Sequence, residues 1–147
     1  MGSAEATWML PVPLAEAERR WYDTAGWPDW VEGLDEVVAV EPGWPEVGAS
    51  VIWVSGPAGR GRVTERAVEY EPGGGQTVEV HDDSITGRQS VAFAPAAGGV
   101  EVRLRLEYRI RAGSPITPLV DRLFVRRSMT ASLRQTLERF AARAGRS

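Results

Sequence analysis

His81, Asp82 and Asp83 place an imidazole beside two carboxyl groups, a pairing suited to moving protons near neutral pH. Strand phase decides which of them faces inward. Val78 and Val80 mark the apolar face of an alternating segment, so His81 points outward with Glu79. Asp82 inherits the inward phase near the strand end and is the first proton-transfer candidate. Tyr108 is the second. It stands in phase with Leu104 and Leu106, which buries its phenol among apolar side chains. Gln89 faces the same interior, in phase with Val91 and Phe93. A buried amide without partners costs about 1–3 kcal/mol, so Gln89 calls for an internal partner, a water or a ligand. Tyr70 joins this set if the Ala67-Val68 doublet is a bulge that shifts the phase. A small internal hydrogen-bond network is an equally good reading of the same residues.

Other motifs carry less. Glu65 and Glu69 lie four apart on one face of a strand and are expected to be solvated outer-face carboxylates opposite arginines. Gly73-Gly74-Gly75 and Gly59-Arg60-Gly61 lie between strands, not between a strand and a helix, so they read as hairpin turns rather than phosphate loops. Six tryptophans stand out in 147 residues. Trp21 and Trp30 fit core filling and cover for a cavity mouth. Trp53 shares the phase of Val51 and is the pocket candidate, with an indole N–H able to orient a ligand.

Absences narrow the chemistry. Cysteine is missing, which excludes disulfides, thiolate metal sites and cysteine nucleophiles. All 17 basic residues are arginine, which excludes Schiff-base catalysis and a P-loop lysine. One histidine cannot build a multi-histidine metal site, and no motif calls for a metal or a cofactor. A net charge of −3 and a pI near 5.3 argue against nucleic acid as partner. No run of 18 apolar residues is present and no secretory leader opens the chain, so neither membrane insertion nor export is expected. A cytoplasmic protein follows as the expectation. At 43% hydrophobic and 25% charged, residues 1–147 suit one globular domain.

The elements that position these residues are legible from their periods. Residues 100–111 alternate without a break: Val100, Val102, Leu104, Leu106, Tyr108 and Ile110 against Glu101, Arg103, Arg105, Glu107, Arg109 and Arg111. That is a long strand with one buried face. Further strands are predicted at Glu5–Leu10, Leu34–Val40, Ala49–Ser55, Gly61–Tyr70, Gln76–Asp82 and Gly87–Phe93. Short turns between them imply antiparallel hairpins, because parallel pairing needs long crossovers. Leu14–Tyr22 has helical spacing after Pro13, and Trp27–Val31 reads as a second short helix. Thr117-Pro118 starts a long terminal helix that Gly145 stops, with Leu119, Leu123, Met129, Leu133, Leu137, Phe140 and Ala144 as its apolar stripe. The predicted fold class is α+β, a seven-stranded antiparallel sheet curved around that helix, with two short helices after the first strand.

This order resembles the START-like helix-grip superfamily (SRPBCC), in particular its polyketide cyclase/dehydrase and lipid-transport family. Val12-Pro13-Leu14-Ala15-Glu16 looks like the family's strand-to-helix entry. Arg20-Trp21-Tyr22-Asp23 followed by Trp27-Pro28-Asp29-Trp30-Val31-Glu32-Gly33-Leu34 is similar to its Asp, then Trp-Pro-x-Trp, stretch. Val47-Gly48-Ala49 and Gly98-Gly99-Val100 match its glycine turns before two later strands. The resemblance implies a hydrophobic cavity between sheet and terminal helix, in proteins that range from cyclases and dehydratases to lipid carriers. No catalytic motif of one branch is present.

Three functions remain open on the sequence. The first is binding of a hydrophobic small molecule, whether lipid, polyketide or aromatic metabolite. Trp53, Tyr70, Gln89, Phe93, Leu106, Phe124, Met129 and Leu133 are the expected ligand contacts, in a cavity without charge. Burying about 300 Å² of ligand at ~25 cal/mol/Å² gives roughly 7 kcal/mol. After the cost of association this leaves micromolar affinity with no catalytic machinery. The second is a cyclase or dehydratase, with Tyr108 and Asp82 moving protons and Gln89 orienting a carbonyl. The third is a protein-interaction domain without a ligand, which a cavity too small for more than a few waters favours. Whether the chain is an enzyme, and its oligomeric state, stay open.

Overall fold

Alternation in the last strand carries over directly into the computed structural model. Val100, Val102, Leu104, Leu106 and Tyr108 are buried on β7 (Gly99–Ile110), while Arg103, Arg105, Glu107 and Arg109 between them are exposed. The structure describes residues 2–56, 61–111 and 122–144, with side chains from Arg127 onward in the last stretch. The other strands are β1 (Gly2–Leu10), β2 (Leu34–Val40), β3 (Ser50–Ser55), β4 (Arg62–Glu71), β5 (Gly75–His81) and β6 (Ile85–Ala96). They form one seven-stranded sheet in the order β1-β7-β6-β5-β4-β3-β2, every neighbouring pair antiparallel. The short connections from β2 to β7 force antiparallel neighbours, since none of them leaves room for a parallel crossover, and β1 closes the sheet beside β7.

The helices occupy the predicted places. α1 (Leu14–Tyr22) follows Pro13, and Arg20 pairs with Glu16 one turn back, at 3.0 Å. A 3-10 turn at Thr24–Gly26 leads into α2 (Trp27–Trp30), whose Pro28 sits in the first turn, where its missing N–H is no loss. The long terminal helix α3 (Arg122–Ala144) spans about 34 Å at 1.5 Å per residue. Its predicted start at Thr117-Pro118 and stop at Gly145 lie outside the described residues. α3 packs against β1, β7 and α2, and buries Leu133, Thr136, Leu137, Phe140 and Ala144 along one side. Spacings of three and four residues put these on one face. No helix among the described residues is long and apolar enough to cross a membrane.

Two departures have physical causes. Ile110 continues the inward phase of β7 yet is 40% exposed, because among the described residues β1 pairs no further along β7 than Tyr108. Glu65 was expected on the outer face and is instead buried, at 8% exposure. The register shift between Ala67 and Glu69 is the expected bulge. Ahead of it Val63, Glu65 and Ala67 share the inward phase, and beyond it Glu69 faces solvent. The expected shared face of Glu65 and Glu69 is therefore corrected, since the bulge separates them.

Candidate functional site

Four tryptophans converge between sheet and helices. Amphipathic spacing turns Trp21 of α1 inward, and the indole N–H of Trp27 donates to the Trp21 carbonyl at 2.8 Å, which fixes α2 against the end of α1. Trp21 and Trp30 lie 4.8 Å apart between ring centres, and Phe140 of α3 meets both edge-on at 5.1 and 4.7 Å. Trp53 projects from β3 and is 1% exposed. These rings, with Val31, Leu104 and Leu133, form the apolar walls of a half-enclosed cavity.

Its polar lining comes from Glu32, Glu65, Gln89, Ser132 and Thr136. The indole N–H of Trp53 donates to Glu65 Oε2 at 2.7 Å, diagonally across β3 and β4. Glu32 follows α2 and clasps α3: its backbone N–H donates to Thr136 Oγ1 at 3.0 Å, and Ser132 Oγ donates to Glu32 Oε2 at 2.7 Å. Arg143 adds an exposed bond to Asp29 at 2.7 Å. The terminal helix is thus tied to the α2–β2 connection on the rim of the cavity.

The volume is about 40 Å³. That holds roughly two or three waters, where a benzene-sized guest needs about 150 Å³. The expected uncharged cavity is corrected on one point. Two carboxyl groups, Glu32 and Glu65, line it, because the inward phase of β4 and the short turn after α2 bring them there.

The structure brings together some of the predicted site residues and separates others. Trp53, Gln89 and Leu133 line this cavity. Phe93 and Leu106 are buried but lie outside its lining, Phe93 edge-on to Trp21 and Tyr22 at 6.3 Å. Met129 packs partly buried against the core. Tyr70 stacks edge-on with Tyr22 at 5.5 Å, away from the cavity lining. The Phe124 side chain lies outside the described residues. Tyr108 and Asp82 do not line the cavity either. Tyr108 pairs with Gly2, where a Cβ would fall inside its ring, and with Gly87, where a Cβ would strike the Glu107 carbonyl. Asp82 organises the β5–β6 turn: its Oδ1 accepts from the backbone N–H of Ser84 at 2.7 Å and of Ile85 at 2.8 Å, and Arg111 donates to its carbonyl at 2.6 Å. His81 is exposed, as its phase predicts.

Sequence reasoning missed Glu32, Ser132 and Thr136 of the lining and misplaced Glu65. The signal for Glu65 was present in Val63-x-Glu65-x-Ala67, which shares one phase before the bulge. A second group of aromatics, around Tyr22, was also not foreseen. The Tyr22 hydroxyl is buried with no hydrogen-bond partner among the described residues. Burial, then Glu18 and Tyr70, pushes its phenol well above the ordinary tyrosine range. Tyr70 is raised too, by burial and then by Glu18 and Glu46.

Comparison with known proteins adds a family and a fold. The family model described as polyketide cyclase / dehydrase and lipid transport matches residues 1–145. No curated protein sequence matches the chain. Among solved structures, TTHA0849 of Thermus thermophilus is similar over 97% of this chain and 96% of its own, at 20% identity and a TM-score of 0.76. A START superfamily protein of Mycobacterium smegmatis matches over 98% and 97%, at 9% identity and a TM-score of 0.77. The di-domain ARO/CYC StfQ of the steffimycin biosynthetic pathway matches over 95% of this chain and 49% of its own, at 18% identity and a TM-score of 0.75. Identities this low establish the helix-grip fold alone.

Proposed function

The chain belongs to the polyketide cyclase / dehydrase and lipid transport family, and from that premise we propose that residues 1–147 form one cytoplasmic domain that binds a hydrophobic small molecule between its sheet and α3. Family and fold fit either hydrophobic ligand binding or a cyclase/dehydrase. The observation that carries the binding reading is the cavity walled by Trp21, Trp27, Trp30 and Trp53 under α3. Aromatic walls with a few fixed polar groups are the usual make-up of small-molecule pockets. At about 40 Å³ the space is smaller than a lipid or polyketide, so a ligand of that size enters only with the tryptophan layer or α3 displaced.

A specific observation favours the enzyme reading as a second. A buried carboxyl, Glu65, stands in the cavity already oriented by a donor at 2.7 Å. Such a group is placed to take or give a proton to a bound polyketide chain. Tyr108 and Asp82 are the other proton-transfer candidates, each to be tested by a conservative substitution. The small volume also supports a third reading, an interaction domain that holds no ligand.

Native mass spectrometry of freshly purified protein tests the proposal. A co-purifying apolar adduct, released on denaturation, is the expected result. No adduct, together with no binding of any apolar ligand offered at up to millimolar concentration, refutes it in favour of the interaction domain.

A further inference from the structure

We propose that residues 27–33 are the door of the cavity. The segment is hinged at Trp27 on α1 and latched at Glu32 on α3, and it swings to admit an apolar ligand while α3 stays seated on the sheet. The proposal rests on the small-molecule reading above and adds the route of entry. Trp27, Trp30, Val31 and Glu32 form one wall of the cavity. At about 40 Å³ the closed space holds roughly two or three waters, so a larger guest needs a wall to move.

Two walls are candidates, and their attachments differ. α3 is 23 residues long and buries Leu133, Leu137, Phe140 and Ala144, so lifting it exposes apolar surface over several turns at once. α2 has four residues, a single turn closed by the Val31 N–H on the Trp27 carbonyl at 2.9 Å. A turn that short has little cohesion of its own. Its near end is fixed from inside the fold: the Trp27 indole N–H donates to the Trp21 carbonyl at 2.8 Å, and Trp44 meets the ring edge-on at 5.8 Å. The far end is held to α3 by polar bonds. The Glu32 N–H donates to Thr136 Oγ1 at 3.0 Å, Ser132 Oγ donates to Glu32 Oε2 at 2.7 Å, and Arg143 donates to Asp29 at 2.7 Å. Asp29 and Arg143 are each 51% exposed, so water competes for that bond and weakens it. Behind the latch, Trp30 rests on Trp21 and Phe140 through ring contacts. Gly33 then follows at φ +80°, and a Cβ built there meets no atom within 4 Å, so the chain has an unobstructed pivot where the door rejoins β2.

The chain has no cysteine, so one pair can be introduced alone. The 3.0 Å bond from the Glu32 nitrogen to Thr136 Oγ1 limits the two Cα atoms to at most about 7 Å. A disulfide spans about 4.4–6.8 Å. Glu32→Cys/Thr136→Cys therefore locks the door when oxidised and frees it when reduced, within one protein. Stopped-flow fluorescence follows association of N-phenyl-1-naphthylamine, an apolar probe that brightens out of water. Oxidation is expected to slow association about tenfold or more, and reduction to restore it. Ser132→Ala removes a hydrogen bond to a charged acceptor and is expected to speed association about tenfold. Circular dichroism checks that each variant is folded. Hydrogen exchange reads the latch without any ligand. The Glu32 N–H of the natural chain is expected to exchange about a hundredfold faster than the N–H groups of central β7, by local opening, and faster again in Ser132→Ala. If the crosslink does not form, Ser132→Ala and hydrogen exchange decide together. Equal association rates in the oxidised and reduced protein, or a natural rate in Ser132→Ala, overturn the door and leave the binding reading standing. Exchange at Glu32 as slow as in β7 means that the segment opens only with the whole fold, and overturns the door whatever the probe does. Failure of the probe to bind the natural, reduced and Ser132→Ala proteins counts against the binding reading and removes the door with it.

Discussion

Trp53 and Glu65 stand diagonally across β3 and β4, and the indole N–H of the first meets the carboxyl of the second at 2.7 Å with both residues buried. Cross-strand partners fix the arrangement: Val63 lies opposite Trp53 and Val51 opposite Glu65. A small aliphatic neighbour beside each large side chain lets the two cross. The pair joins the core to the cavity, so its energetics can be read by stability as well as by binding.

Trp53→Phe keeps most of the ring and removes the donor. It is expected to cost about 1.5–3 kcal/mol, the range for a hydrogen bond to a charged group. Glu65→Gln retains an acceptor and costs less. Urea denaturation of both single variants and the double variant should give a coupling energy of about 0.5–3 kcal/mol. Additivity would show that the two side chains do not depend on each other.

Asp82 is expected to matter to the turn more than to the cavity. Its Oδ1 satisfies the N–H groups of both Ser84 and Ile85. Asp82→Ala exposes two donors to loss and should cost about 1–3 kcal/mol. Asp82→Asn keeps the accepting oxygen and should stay near the natural stability with ligand affinity intact. A variant with asparagine that is stable and binds ligand, yet has lost a turnover shown by the natural chain, would instead place Asp82 in proton transfer.

Tyr22 makes the protein sensitive to alkali. Its folded-state pKa is raised above the ordinary value of 10, with burial as the main cause. A raised pKa means that the folded state holds the proton more tightly than the unfolded chain does. That stabilisation is fully present below pH 10 and is lost as pH climbs toward the folded value. Stability measured by urea denaturation should therefore fall above pH 10, with Tyr70 adding to the slope in the same direction. Tyr22→Phe should flatten the decline. It should also leave stability at pH 7 equal or higher, because it removes a buried hydroxyl with no partner among the described residues. A steeper alkaline loss in the variant would contradict the assignment.

The sequence made the strands and their antiparallel hairpins legible because period-two alternation in Val100–Tyr108 and the short glycine turns leave few alternatives, while the pairing of β1 with β7 has no turn to announce it. It also placed α1, since Leu14, Ala17 and Trp21 fall on one helical face. The cavity was harder. Phase says that Trp53 and Gln89 face inward, but not which inward residues meet at a void and which pack solid. Phe93, Leu106 and Tyr108 share that phase and still lie outside the lining: the rings of Trp21 and Tyr22 pack against Phe93, and the Tyr108 ring takes the space that a Cβ at Gly2 would need. Glu65 was misplaced by its charge. A carboxylate on a strand is usually solvated, and the tryptophan donor that helps make its burial tolerable lies twelve residues away in sequence.

Phe140 controls how far the tryptophan layer can yield. It is 1% exposed and braces Trp21 and Trp30 edge-on from α3. Phe140→Ala should cost about 3–5 kcal/mol, the transfer term plus the cavity left behind. A domain of this size with typical stability of about 5–15 kcal/mol can survive that loss. The void would open behind the two rings that wall the cavity, so the rings gain room to move and the cavity room to grow. Indole, too large for the natural space, should then bind and raise the melting temperature of the variant in proportion to the logarithm of its concentration. The natural chain should show a smaller shift at equal indole. Phe140→Leu, closer in volume, should lose less stability and gain less uptake. Equal indole shifts in all three proteins would mean that α3 closes on the void or that indole binds elsewhere, and that the tryptophan layer is not what limits the cavity.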